Sequence, residues 1–263
     1  MKYWMIAAAL VCAPSAHADE PVELTFVANE GVMISQGETK VLIDALIWNS
    51  YDGTYALPSD ATRAAMINGT APFDGVDALL FTHIHGDHSD PAGAVEFLAA
   101  NGDAVVAASA QITSEMAAQP GGSDADIATR IITPPLTAER TGPEGVLQFP
   151  ESAGAWLFHR EGIDNITWRV EIGGVSVLHL GDTQPQQADF STWDGVEFDV
   201  ILYPYWFALM PQGQAFLASH PDARAIAFHI PAATTELQIR QALGDAEYLH
   251  TEGQTLILRE GDE

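Results

Sequence analysis

Three imidazoles and a carboxylate fall within the short run Thr82-His83-Ile84-His85-Gly86-Asp87-His88. Val76 to Thr82, just before and into it, is a continuous apolar run that reads as a buried strand. The cluster therefore stands on a loop at a strand end. From there His83 and His85 can reach one metal while Asp87 and His88 turn toward a second. Imidazole and carboxylate donors without thiolate suit Zn²⁺, with Fe or Mn as alternatives. Cys12 is the only cysteine, and it lies far from this motif.

The surrounding pattern supplies many short elements. Val22, Leu24 and Phe26 alternate with polar residues as in a half-buried strand, and Gly31 to Ile34 pairs with Lys40 to Ile43 through a Gln36-Gly37-Glu38 turn. Residues 47–75 break up into a long loop with a short helix at Ala61 to Ile67; loops of that length tend to be functional. Asp90 is an N-cap, Pro91 fits the first helical position, and Gly102 can end the helix. Ala104 to Ala108 is a buried strand, followed by a loop at Gln119 to Ser123. Ala155 to His159, Ile166 to Ile172 and Val175 to Leu180 read as strands, the last two joined at Gly173-Gly174. Val200 to Tyr203 and Ala225 to His229 are further strands, with a helix at Gly213 to Ser219 between them. Glu236 to Leu243 is an amphipathic helix stopped by Gly244, and Thr255 to Leu258 closes the chain.

Among 263 residues, 10 Lys and Arg stand against 36 Asp and Glu, a net charge of −26. Such a surface repels polyanions, which argues against nucleic acid and anionic membranes as partners. Residues 1–18 read as a signal peptide: Lys2, an apolar run from Trp4 to Cys12, and small residues at Ala16 and Ala18 before a cleavage point. The expectation is a periplasmic or secreted protein without a stable membrane anchor after cleavage. Residues 19–263 show neither repeat nor linker, so a single domain is expected.

The motif His83, His85, Asp87, His88 resembles the H-x-H-x-D-H signature of the metallo-β-lactamase fold superfamily. Other landmarks follow in order: Asp44 at the end of the first hairpin, His159, Gly181-Asp182-Thr183 after a strand, and His229 at a strand end. The resemblance implies a four-layer αββα sandwich, an α/β (α+β) fold with two mixed sheets between helices. It implies two Zn²⁺ per chain, one held by His83, His85 and His159, the other by Asp87, His88 and His229, with Asp182 bridging. Asp87 would also orient a hydroxide generated at the metals, so that Asp87 and Asp182 are the expected catalytic residues. A bridging carboxylate fits two cations a few ångströms apart, because it reduces their repulsion.

Asp44 is placed to accept the free N–H of a ligating imidazole, though it reads equally as a turn residue. His179, inside a strand, reads as packed or as support behind a ligand, and His220 and His250 as surface residues. Trp48, Tyr51, Tyr55, Tyr205, Trp206 and Phe207 are candidates for a substrate wall, with core packing the competing use. Arg160, beside His159, could meet an anionic group. The commonest zinc β-lactamases carry a Cys near the position of Asp182; the oxygen-rich set here looks closer to the lactonase and N-acyl phospholipid hydrolase branch. Nucleic-acid-processing members carry extra domains and a basic surface that this chain lacks. The expected activity is hydrolysis of a small-molecule lactone, ester or amide. The alternatives are a phosphodiesterase using the same site and a non-catalytic metal-binding protein.

Overall fold

The computed structural model describes residues 20–135 and 143–259. The expected signal peptide lies outside them. The first sheet is built from β1 (Val22–Ala28), β2 (Gly31–Gln36), β3 (Thr39–Ile43), β4 (Ala78–Leu80), β5 (Val105–Ala107) and β6 (Ile131–Ile132). The second contains β7 (Glu144–Gln148), β8 (Glu151–Trp156), β9 (Ile166–Ile172), β10 (Val175–His179), β11 (Val200–Pro204), β12 (Arg224–Phe228) and β13 (Glu247–Tyr248). The last strand, β14 (Thr255–Leu258), returns to pair with β1.

The two sheets are built alike. Each starts with antiparallel pairs and ends with parallel ones: β3, β4, β5 and β6 run parallel in the first, and β10, β11, β12 and β13 in the second. Between the sheets, Leu24, Ile34, Val41 and Leu80 pack with Trp168, Val177, Leu202 and Ile226 in one buried cluster. Helices α1 (Asp60–Asn68), α2 (Pro91–Ala100), α3 (Ala110–Ala118) and α4 (Ala125–Ala128) belong to the first half, where a second cluster joins Met66, Phe97, Leu98, Ile112 and Met116 to Leu42 and Leu79. In the other half lie α5 (Pro211–Ala218) and α6 (Glu236–Leu243), and a third cluster joins Phe216 to Ile201 and Tyr203. This is the expected αββα sandwich.

Local signals explain most boundaries. Asp90 accepts from Gly93 N–H with Pro91 at the first helical position, so α2 starts where the sequence places it, and it stops at Asn101, one residue before Gly102. Gly173 and Gly174 both take positive φ, 59° and 81°, as a tight hairpin between β9 and β10 requires. Two strands differ from expectation. Residues 76–82 give only the short β4, because Thr82 N–H leaves the ladder for the Asp44 carboxylate at 2.8 Å. The strand expected at 155–159 lies at Glu151–Trp156 instead; beyond it Leu157 N–H bonds Asn165 O at 3.1 Å outside the ladder. His159 therefore sits on a loop.

Candidate metal centre

The titratable cluster gathers where the parallel strands end, the edge at which sheets of this kind place ligands. Asp44 follows β3, His83 to His88 follow β4, Asp182 follows β10 and His229 follows β12. The β1–β2 turn brings in Asn29 and Glu30 from the antiparallel side. Glycines permit the close approach. A Cβ on Gly31 would lie 2.8 Å from Asp44 O and 2.9 Å from Ala45 Cα, so only glycine lets this turn press against the end of β3. Gly181 has φ +52°, and a Cβ there would lie 2.6 Å from Asn165 Oδ1.

Backbone and side-chain bonds tie these turns together. Asn29 O accepts from His229 N–H at 3.1 Å, and Asn29 Nδ2 donates to Asp87 O at 2.9 Å. Gly181 N–H donates to His179 Nδ1 at 3.2 Å, so the ring proton of His179 sits on Nε2, 3.0 Å from Glu30 O. His179 is thus a buried neutral support for the Glu30 turn. Asp44 accepts from Thr82 through both oxygens and from His88 Nδ1 at 2.9 Å. Asp44 thus contacts an imidazole and also has a φ of +47° that suits a turn, so both expected readings of this residue meet in one position.

On one side, His83 Nε2 and His85 Nδ1 face each other at 2.9 Å, and Asp182 Oδ2 lies 3.7 Å from both His83 Nε2 and His159 Nε2. On the other, His88 Nε2 and His229 Nε2 are 3.1 Å apart, and Asp182 Oδ1 lies 3.6 and 3.2 Å from them. Asp87 Oδ2 is 3.7 Å from His88 Nε2 and 3.5 Å from His229 Nε2. A tetrahedral ion with bonds of about 2.1 Å separates its donors by about 3.4 Å. The separations given above, 2.9 to 3.7 Å, bracket that spacing, and the two oxygens of Asp182 face one group each.

Proton positions agree. His159 Nδ1–H donates to Asp182 O at 2.8 Å, leaving a buried Nε2 without a partner. Thr82 Oγ1 lies 3.0 Å from His83 Nδ1, so the Nε2 lone pair of His83 also points inward. Burial holds every ring of the cluster neutral: His159 falls to about 4 and His229 to about 3, and His83, His85 and His88 move the same way. The carboxyls move oppositely. Asp87 rises to about 6, and burial drives Glu30, Asp44 and Asp182 up, with the neighbouring carboxylates adding to it. Asp87 and Asp182 thus stand against inward-pointing imidazole nitrogens, with Asp44 and Glu30 behind them, an arrangement that could hold cations.

Sequence reasoning passed over Glu30. It is fully buried, and a donor atom of Glu30 groups with those of His88, Asp182 and His229 within 4.8 Å of one another. The aromatic candidates divide. Tyr55 stands edge-on to His229 at 4.3 Å and Trp206 at 4.9 Å, with the buried Trp206 Nε1 unpartnered. Trp48 and Tyr51 are exposed on the loop anchored to Gly86 O, where a Cβ on Gly86 would lie 2.9 Å from the Trp48 indole. Tyr205 lines a neighbouring apolar cavity of about 270 Å³ with Ile230, Ile239 and Leu243. Phe207 is not a wall: the chain turns after β11 and buries it against Phe190 and Phe216. Arg160 is exposed, beside Gln184 and Gln187 in a shallow groove of about 460 Å³ next to His159. His220 and His250, expected at the surface, are half-buried, His220 against Phe216 and His250 toward Pro231 O, and neither joins the cluster.

Several solved structures share the fold. An isothiocyanate hydrolase from gut bacteria of Delia radicum is 14% identical, with 90% of this chain and 99% of that one covered at a TM-score of 0.59. The short form of human tRNase Z is 13% identical, covering 90% and 100%, also at 0.59. A diiron β-hydroxylase from Streptomyces venezuelae is 14% identical, covering 91% of this chain and 54% of its own, at 0.52. No curated protein matches the chain. A family model described as the beta-lactamase superfamily domain matches residues 39–241, from the first hairpin through the His cluster to α6, and the chain belongs to that superfamily.

Proposed function

We propose that this protein is a hydrolase working with two divalent cations, Zn²⁺ first and Fe or Mn as alternatives. The observation that carries the reading is the two-sided Asp182, with one oxygen toward His83 and His159 and the other toward His88 and His229. His83, His85 and His159 would hold one ion, Asp87, His88 and His229 the other, and Asp182 both. Ions bound there would supply Lewis acidity and bring the ionisation of water down toward about pH 7. The chain's own groups do the rest. Asp44 keeps His88 with its Nε2 lone pair inward. Asp87, steadied by Asn29, orients a proton-bearing oxygen near His229. Tyr55 and Trp206 pack edge-on against His229 and restrict water beside it.

The substrate is proposed to be a small lactone, ester or amide, as in the lactonase-like branch. A net charge of −26 supports it, since it disfavours an anionic partner at long range. A phosphodiester is the second reading, favoured by the exposed Arg160 beside His159. Export is proposed from residues 1–18, and mass spectrometry of the natively expressed protein should then find Asp19 at the N-terminus. To test the activity, the metal-loaded chain is assayed on panels of lactones, esters, amides and phosphodiesters, with Arg160→Ala alongside. Turnover of a carbonyl substrate, unaffected by Arg160→Ala, supports the first reading. Phosphodiester turnover that Arg160→Ala abolishes supports the second. Metal binding without turnover on any panel would refute both and leave a metal-binding protein.

A further inference from the structure

Glu30 presents a problem of its own. Both its carboxyl oxygens are buried, and neither meets an amide or hydroxyl donor; the one side-chain group that pairs with them is the Asp182 carboxyl. The nearest basic atom is His88 Nδ1 at 3.3 Å, but that nitrogen is already engaged with Asp44 Oδ2 at 2.9 Å. The rest of the turn is tied down: Glu30 O accepts from His179, and Asn29 holds both Asp87 and the His229 backbone. Gly31 is required for the turn to lie this deep. The fold thus invests several contacts in holding one carboxyl group against the cluster, where its side-chain neighbours are His88 and the Asp182 carboxyl.

Its donor atom lies within 4.8 Å of those of His88, Asp182 and His229. Opposed oxygen donors on a six-coordinate ion lie about 4.2 Å apart, so the set is of the size one such ion spans. We propose that Glu30 is a direct donor to the cation on the His88 and His229 side, and that it biases that side toward Mn²⁺ or Fe²⁺ relative to the His83, His85 and His159 side. This rests on the two-cation reading above. With Glu30, the first of these sides offers two imidazoles and the carboxylates of Asp87, Asp182 and Glu30; the second offers three imidazoles and shares Asp182. Carboxylate-rich sets suit harder ions, and imidazole-rich sets suit Zn²⁺.

The test compares wild type with Glu30→Gln, which keeps size and polarity but loses the anionic donor. Metal-free protein is given one equivalent of Zn²⁺ and titrated with Mn²⁺, with free Mn²⁺ read by electron paramagnetic resonance and bound metals counted by elemental analysis. Wild type should hold one Zn²⁺ and one Mn²⁺ per chain. Glu30→Gln should keep the Zn²⁺ and bind Mn²⁺ at least tenfold more weakly. Glu30→Asp retains a carboxylate and should fall between them, which separates loss of a donor from loss of folding; circular dichroism of each metal-free variant checks the latter. Mn²⁺ affinity in folded Glu30→Gln within twofold of wild type would overturn the assignment, and so would equal weakening in Glu30→Asp and Glu30→Gln. A wild-type chain that binds only one cation in total would overturn the two-cation reading as well.

Discussion

Replacing Asp44 by Asn should damage the His88 side of the centre through a single proton. In the native site both carboxylate oxygens accept, Oδ1 from Thr82 N–H at 2.8 Å and Oδ2 from Thr82 Oγ1 and from His88 Nδ1 at 2.9 Å. Asn offers one acceptor and one donor in the same space, and it tolerates the φ of +47° without backbone cost. If its oxygen stays on Thr82 N–H, its NH₂ faces His88 Nδ1. The His88 proton must then move to Nε2, where it points at His229 Nε2 3.1 Å away and occupies the lone pair a cation would use. If the amide flips, NH₂ meets Thr82 N–H, a buried donor-donor contact costing about 1–3 kcal/mol. Loss of such a supporting carboxylate weakens metal binding about 10–100-fold, or about 1.4–2.7 kcal/mol. Chelator competition with metals counted gives the affinity, and imidazole ¹⁵N shifts give the His88 tautomer. An Asp44→Asn protein that binds both cations within twofold of wild type, with His88 still protonated at Nδ1, would refute the reasoning.

Other outcomes follow from neighbouring residues. His179 is held neutral, its pKa lowered by burial to about 4. The unfolded chain therefore binds the extra proton between about pH 4 and 6.5, and the stability His179 contributes is full above that window and lost as pH falls through it. In metal-free protein, His179→Gln should reduce the slope of unfolding free energy against pH there by up to about 1.4 kcal/mol per unit; denaturant titrations at several pH values that give an unchanged slope would count against it. Gly181→Ala combines a left-handed backbone with a Cβ 2.6 Å from Asn165 Oδ1. The backbone alone should cost about 1–2 kcal/mol, and a thermal melt matching wild type would show that the turn before Asp182 relaxes freely.

What could be read from the sequence was local. His83 to His88 are close in the chain, so their shared loop follows from one strand end. The strands at Ile166–Ile172 and Thr255–Leu258 and the helix at Glu236–Leu243 stand where alternation and Gly244 put them. Long-range effects were not legible. Glu30 looks like any acidic residue at a hairpin tip, and only Gly31 packing against Asp44 and Ala45 turns it inward. Thr82 carries an apolar run past the end of β4 because Asp44, distant in sequence, captures its N–H. Helix α3 gave no clear period: its buried residues are Ile112, Thr113 and Met116, within a run mixing small and polar side chains. Phe207 follows Trp206 directly, yet a tight turn after β11 sends one into the core and leaves the other beside His229.

In the proposed two-cation centre Asp182 serves both ions at once, with Oδ2 3.7 Å from His83 Nε2 and Oδ1 3.2 Å from His229 Nε2. Elemental analysis of wild type and Asp182→Ala, loaded side by side with excess Zn²⁺ and freed of unbound ion, tests it most directly. Wild type should hold two metals per chain and Asp182→Ala no more than one. Two metals retained in Asp182→Ala, or a wild type that never exceeds one, would contradict it.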